Sequence, residues 1–599
     1  MLNRTSCVGN MWDTLKLLFL VSLVGVSCYK VSLIKQSTLY LPSSYGTDGD
    51  VRYKLSPGLE QMTYDSDNKL IYMVGGTVIH AIDVSNPDNM TIVAHVEMEN
   101  VDFTDVEFCG GYVFTAVDDQ AERANGRVII YSAYNATSRS ISEVVQIPVG
   151  AVPDMLKPTH DCSKLIVAVE GEAYQNPPNQ ITDPEGLVVI INFHDTISNY
   201  TKTSLNFTKY NDRVADLRSS GVRHVYQENN NPFSNDVEPE YVALNADDTV
   251  AYIVLQENNA VATVDLVSQN ITGVHGLGYK DWSKLTLDPS DEDRGAFLYP
   301  YSVMGMYQSD TAVFFRFKGV DYLLMANEGD AKDYNFGTYS WSEEEKAGNI
   351  PASMLPTLDA TTQDQLTRDT LLGRLKVSVS PAGKNSSGNL EALYTFGGRS
   401  FSIRRTNDMS LVYDSGDDLS KRLYVHNRDL FNGHMGKASH RPFEDYDLRS
   451  RNKGMETEAV ATGELEGRTL LFVANERPGT IFVYSLDSDV MKPEFHDIYT
   501  GIPSTRTKSW QELYDDRQLS EIDCEDIKFV SADKSPTGKP VLFVTGSVSG
   551  TLSIINVEVT KSPPPKPEKP TSSAGSLTSE LTFAVITAAV VYLCGRMWP

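Results

Sequence analysis

One strand pattern recurs from end to end of this chain, and it limits the fold more than any single motif does. The clearest copy runs Glu240-Tyr-Val-Ala-Leu, a turn at Ala246-Asp-Asp-Thr, Ala251-Tyr-Ile-Val-Leu255, a polar turn at Gln256-Glu-Asn-Asn259, and Ala260-Val-Ala-Thr-Val-Asp-Leu266. Short runs rich in β-branched residues, broken by turn formers, make this strand, turn, strand, turn, strand. The same order returns over residues 60–84, 105–131, 154–191, 458–484 and 526–555, with weaker copies over 310–325 and 401–413. A compact unit of several strands repeating every ~40–45 residues is the mark of a β-propeller. A set of ordinary β-sandwiches would also give short strands and turns, but not one grammar throughout. The expectation is an all-β fold, a β-propeller of seven or eight blades with long loop insertions. Seven follows if the outermost repeats share one closing blade.

Both ends read as processing signals. Arg4 and Lys16 flank an apolar run from Leu17 to Val26, with Gly25, Ser27 and Cys28 as small residues for cleavage. The run is too short to span ~30 Å of hydrocarbon, so residues 1–28 read as a secretory signal peptide. At the other end, 560–573 form a Pro-rich stalk ending in small residues. The segment 574–599 adds a short polar spacer and an apolar tail from Leu581 to Cys594. That order is a glycosylphosphatidylinositol (GPI) attachment signal, with Ser572 or Ser573 as the attachment residue. About fourteen apolar residues are few for a transmembrane anchor, and no basic cluster follows. The mature ectodomain is then 29–559, at the extracellular face of the plasma membrane, from which it could be shed into the matrix.

An oxidising compartment gives the remaining cysteines meaning. Processing leaves Cys109, Cys162 and Cys524. Cys109 and Cys162 occupy the same turn of successive repeats, so a bridge between them is expected, with Cys524 as the spare. N-glycosylation sequons stand at Asn89, Asn135, Asn199, Asn206, Asn270 and Asn385.

Acids recur at fixed places. Repeats begin at Glu60, Asp105, Asp154, Glu240, Asp310, Glu458 and Asp526, and a second acid follows at Glu170, Glu257, Glu328 and Glu476. In a propeller, equivalent positions fall on one ring about the axis. Asp154, Glu170, Glu240, Glu257, Asp310, Glu458 and Glu476 are therefore expected to form an acidic ring that collects cations. The alternative for each is a turn cap or a partner for a neighbour such as Arg477. With 52 Lys and Arg against 79 Asp and Glu, the net charge is −27. That excludes phosphate-directed binding of nucleic acid. Three insertions add acidic loops. One carries Asp288, Asp291 and Asp293 ahead of Gly295, with oxygen donors at spacings resembling a loose calcium loop, though without the closing Glu of an EF-hand. A second offers Glu328, Asp330 and Asp333 to one ion, and the third follows Asp414-Ser-Gly-Asp-Asp418. A solvated acidic loop is the plain alternative for each.

Catalytic patterns are lacking. No phosphate-binding Gly-x-x-x-x-Gly-Lys and no His-Glu-x-x-His occurs, and His426, His434 and His440 do not stand at chelating spacing.

Several segments resemble a known family. Val149-Gly-Ala-Val-Pro-Asp-Met, Val237-Glu-Pro-Glu-Tyr-Val, Leu255-Gln-Glu-Asn-Asn-Ala, Ala326-Asn-Glu-Gly-Asp-Ala-Lys-Asp-Tyr, Phe396-Gly-Gly-Arg-Ser-Phe-Ser and Asp414-Ser-Gly-Asp-Asp follow the mesenchyme-specific cell-surface glycoproteins, in order over roughly residues 50–560. That family occurs in biomineralising echinoderms and molluscs and is related to bacterial choice-of-anchor proteins. The resemblance implies a propeller-like fold, a GPI-anchored glycoprotein and a role in building calcified skeleton or shell. It transfers no catalytic residue. The expected function is non-enzymatic: Ca²⁺ is bound or concentrated by the acidic loops, and mineral or matrix components are the partners. The alternatives are a metal-dependent phosphoesterase on a propeller and an adhesion module that binds a protein or glycan.

Overall fold

The computed structural model describes residues 28–46, 50–175 and 181–562. Residues 1–27 of the expected signal peptide, Ser572, Ser573 and the expected GPI signal lie outside the described residues, as does all but the start of the expected stalk, whereas Cys28 opens a described strand. The chain divides into residues 31–559 and a second unit, residues 1–30 with 560–599. The described parts of the second unit, 28–30 and 560–562, are strand. Among the described residues, no helix is long and apolar enough to cross a membrane.

Among the described residues, seven four-stranded antiparallel sheets make a β-propeller. Blade one is Met62–Asp65, Leu70–Gly75, Val78–Asp83 and Thr91–Glu97. Blade two is Val101–Cys109, Tyr112–Asp119, Arg127–Ser132 and Glu143–Pro148. Blade three is Pro153–Pro158, Lys164–Val169, Leu187–Phe193 and Tyr200–Asn206. Blade four is Val242–Leu244, Val250–Leu255, Ala260–Asp265 and Asn270–Gly276. Blade five is Ala312–Phe317, Val320–Asn327, Ser400–Arg405 and Leu411–Asp414. Blade six is Thr457–Leu465, Arg468–Asn475, Thr480–Leu486 and Glu494–Tyr499. Blade seven takes Ile527–Val530, Val541–Gly546 and Thr551–Ser562 from the C-terminal side and Cys28–Tyr40 from the N-terminal side.

The last arrangement closes the ring. Thr38 Oγ1 meets Ser553 Oγ at 2.9 Å, and Asn556 Nδ2 donates to Gln36 Oε1 at 2.7 Å. Joining the chain ends in one sheet gives its outer strand a partner and removes a loose end from the repeat array. Blade five explains the two weak repeats. Val320–Asn327 pairs with Ser400–Arg405, so 310–325 and 401–413 are halves of one blade split by a long insertion. Eight copies of the pattern therefore make seven blades.

Second strands lie between neighbouring sheets and are apolar on both faces. Every residue of Leu70–Gly75 and of Val541–Gly546 is buried. Outer strands such as Thr91–Glu97 are half-exposed and alternate. The core is a series of seams between blades. Ile166 and Ile190 of blade three pack with Val242 and Ile253 of blade four, and Phe543 and Ile554 of blade seven with Ile71 and Ile82 of blade one. In blade two the first two strands are joined by Gly110-Gly111, both with positive φ (59° and 83°), as a tight hairpin turn requires.

Cys109 and Cys162 are bridged, with Cα atoms 5.7 Å apart, joining equivalent turns of blades two and three. Cys524 is buried and unbridged. Replacing both bridged cysteines by serine is expected to lower the urea midpoint. The bridge spans 53 residues, and by chain entropy its loss costs up to about 4 kcal/mol.

Candidate functional site

Pairing register superimposes the blades and shows which residue faces the axis. Met62, Val106, Leu156, Val242, Ala312, Val460 and Ile527 lie opposite Met73, Thr115, Val167, Ile253, Met325, Val473 and Val544. The residue two positions ahead of each is Glu60, Thr104, Asp154, Glu240, Asp310, Glu458 or Glu525. Six of seven blades thus put a carboxylic acid at one register position at the start of the innermost strand or just ahead of it, and Thr104 breaks the ring. The residue three positions past each partner is Gly76, Asp118, Glu170, Gln256, Glu328, Glu476 or Ser547. This second layer sits where the second strand returns to the same end of the blade.

Two acids that open repeats are not in the ring. Asp105 and Asp526 lie one residue further on, and a shift of one flips a side chain to the other face. Asp105 accepts the Leu156 N–H at 2.8 Å, and Asp526 accepts the Met62 N–H at 3.2 Å. They staple blade two to blade three and blade seven to blade one. Structure is the role of these two acids.

The ring residues act on each other's charge. Burial, with Asp102, Asp523 and Asp310 nearby, pushes the Glu60 carboxyl up to about 7. Burial and neighbouring carboxylates raise Asp154, Glu170, Glu240, Glu458, Glu476 and Glu525 well above the ordinary range, and Glu328 to about 8. Carboxylates this close ionise together only when a cation neutralises them.

On one side of the axis, Asp154, Glu170, Glu240, Glu257 and Asp310 line a cavity of about 410 Å³ together with Asp330 and Asp333. Glu240 and Glu257 share a hydrogen bond. Glu238 Oε1, Glu240 Oε2 and Glu257 Oε2 are buried and meet no donor. Lys332 enters this cavity and sits 2.5 Å from Glu238 Oε2.

On the other side, carboxylate oxygens of Glu328, Glu458 and Glu476 lie within 4.8 Å of one another, as do those of Glu476, Asp523 and Glu525. Lys453 Nζ stands 2.5 Å from Glu328 and 3.3 Å from Asp330, and Arg477 pairs with Glu476 and Asp523. The donor set is all hard oxygen, which suits Ca²⁺.

The insertion acids fare differently. Asp288 is buried and accepts from Phe297 N at 2.8 Å, and burial with Asp293 beside it raises it to about 7. Asp293 accepts from Gly295 N at 3.2 Å. Asp291 is held by both arms of Arg374 at 2.7 and 3.0 Å and by Arg451 at 3.3 Å, so its charge is already matched. Glu328 joins the ring rather than a loop site with Asp333, which is exposed. Sequence reasoning missed Glu238, Asp523, Glu525 and the two lysines. A signal for the acids exists: Glu238-Pro-Glu240, Glu456-Thr-Glu458 and Asp523-Cys-Glu525 repeat one acid-x-acid pattern.

The opposite end of the propeller looks different. In an antiparallel meander the turns between third and fourth strands lie away from the ring. Asn89, Asn135, Asn199 and Asn270 stand at those turns in blades one to four, all exposed. Asn206 is exposed at the end of its fourth strand, and Asn385 is half-buried in an insertion. Residues 31 and 559, the ends of the propeller unit, belong to that same far end by strand direction.

Fold and site together define a seven-bladed β-propeller with an acidic axis at one end and four of its six sequons at the other. The model of the choice-of-anchor I domain matches residues 60–489, and the chain belongs to that family. The resemblance seen in its motifs is borne out by its relatives. It is 28% identical over 364 residues to the mesenchyme-specific cell surface glycoprotein of Strongylocentrotus purpuratus, covering 56% of this chain and 46% of that one. It is 38% identical over 199 residues to Gigasin-3a of Magallana gigas, 33% of this chain and 69% of the relative. The chain thus spans less than half of the first of these two relatives. Among solved structures, the β-propeller domain of Myceliophteria thermophila Cps50 (Swd1) matches with a TM-score of 0.40 at 6% identity, covering 88% of this chain and all of that one. The WD40 domain of Toxoplasma gondii coronin gives 0.41 at 9%, covering 90% and 88%.

Proposed function

We propose that this protein is a GPI-anchored cell-surface glycoprotein whose acidic axis binds Ca²⁺ during the building of mineralised tissue, without catalysing a reaction. The observation that carries the reading is the ring itself. Six blades independently place an acid at one position, and three buried oxygens beside it meet no donor. Isolated surface acids would neither recur in register nor stay unpaired out of water. The name of the Strongylocentrotus purpuratus relative, a mesenchyme-specific cell surface glycoprotein, supports the cell surface and glycosylation. Asn89, Asn135, Asn199 and Asn270 stand at the far end from the ring, so glycans on these four leave the acidic mouth open. Calorimetry of residues 29–559 is expected to give Ca²⁺ heat with a Kd of order 0.1–1 mM, the range of extracellular modules. Absence of heat up to roughly 10 mM, ten times the upper end of that range, would sink the reading. Release from cells by phosphatidylinositol-specific phospholipase C checks the anchor separately.

A further inference from the structure

The acidic axis already holds cations of its own, and two of them, Lys332 and Lys453, come from outside the repeat. Lys332 belongs to the insertion that splits blade five. Its ammonium is buried beside Glu238, in the cavity where Glu240 Oε2 and Glu257 Oε2 meet no donor. The backbone there is pinned. Glu343 N donates to the Lys332 carbonyl at 3.0 Å, and Tyr334, two residues on, is buried against Tyr226 and Trp341 with ring centroids 5.0 and 5.8 Å away. The root of the side chain is therefore fixed, while its four-carbon stem and strongly hydrated head can move.

We propose that Lys332 is a tethered cation: its ammonium holds the place of a divalent ion between Glu238 and the Glu240–Glu257 pair, and that ion binds by displacing it. The inference rests on the reading of the axis as a cation site and adds its regulation. A single charge on a tether satisfies one carboxylate and leaves its neighbours short. A divalent ion of hard-oxygen preference attracts several at once, and each attraction is strong where the dielectric is low. Displacement also restores water to the ammonium, which offsets the cost of burying it. The tether sets a threshold, so the ammonium keeps the place beside Glu238 until outside calcium is plentiful.

Two measurements test this. Lys332→Met removes the competing charge and is expected to tighten Ca²⁺ binding at least about tenfold by calorimetry, whereas Lys332→Arg keeps wild-type affinity. In wild-type protein, reductive methylation of Lys332 followed by mass spectrometry is expected to speed up severalfold when Ca²⁺ is added, because the ammonium leaves the cavity. The second measurement needs no variant to fold. If wild-type protein binds Ca²⁺ yet Lys332 reactivity does not change, or if Lys332→Met binds no tighter, the tether is overturned and the axial site stands. If wild-type protein gives no Ca²⁺ heat, the axial site falls and the tether with it.

Discussion

Changing Glu240 and Glu257 together to glutamine is expected to make the calcium-free protein more stable while removing most of its response to the ion. The two carboxyls are buried, hydrogen-bonded to each other, and each has an oxygen with no donor. Asp310 and Glu170 add further negative charge beside Glu240. Such an arrangement costs free energy unless a proton or a cation neutralises it. An amide has nearly the same volume, carries no charge, and supplies N–H donors to the carboxylates around it. The expected gain is roughly 1–3 kcal/mol, read as a higher urea midpoint. In wild-type protein, a site with a Kd near 1 mM adds about 1.4 kcal/mol at roughly 10 mM Ca²⁺. In the double variant that increment is expected to vanish. A variant that is less stable without calcium would show that the pair is an ordinary structural contact.

The calcium-free protein is also expected to lose stability as pH rises from about 6.5 to about 9, and calcium is expected to flatten the loss. Burial and neighbouring acids raise Glu60 to about 7, Asp105 to about 7, Glu328 to about 8 and Asp447 to about 9. Unfolded carboxyls titrate near 4. Between these values the folded state binds more protons than the unfolded state, so stability falls as pH rises. Below about 6.5, two histidines act the other way. Burial lowers His80 to about 3 and His434 to about 4, so protonating the unfolded chain there favours unfolding as pH drops. The window above the histidine range isolates the carboxyls. A melting temperature that is flat or rising from pH 6.5 to 9 without calcium would contradict the buried, raised carboxyls, Glu60 and Glu328 in the ring and Asp105 and Asp447 outside it.

Part of the candidate site is legible in the repeat grammar alone. That grammar points to Asp154, Glu240, Asp310 and Glu458, and register puts all four on the axis. It points equally to Asp526, and there it is one residue off: Glu525 faces the ring and Asp526 staples blades. A strand's side chains alternate faces, so an error of one residue exchanges a site for a support. Adjacent acids such as Glu525-Asp526 leave that choice open until the pairing partner is known.

The sequence by itself determined the class of fold, the recurrence of acid at the start of the repeats and the equivalent turns that carry the bridged cysteines. These are local and periodic properties: strand and turn propensities repeat with the chain, and a pattern written eight times is readable without knowing how its copies meet. Only the tertiary structure decided the number of blades, because the halves of blade five are joined across the long insertion from Glu328 to Arg399 by hydrogen bonds that no local pattern encodes. Only it placed Lys332 and Lys453 among the acids. Both sit in insertions outside the repeat, and their proximity to the ring depends on where each loop returns in space.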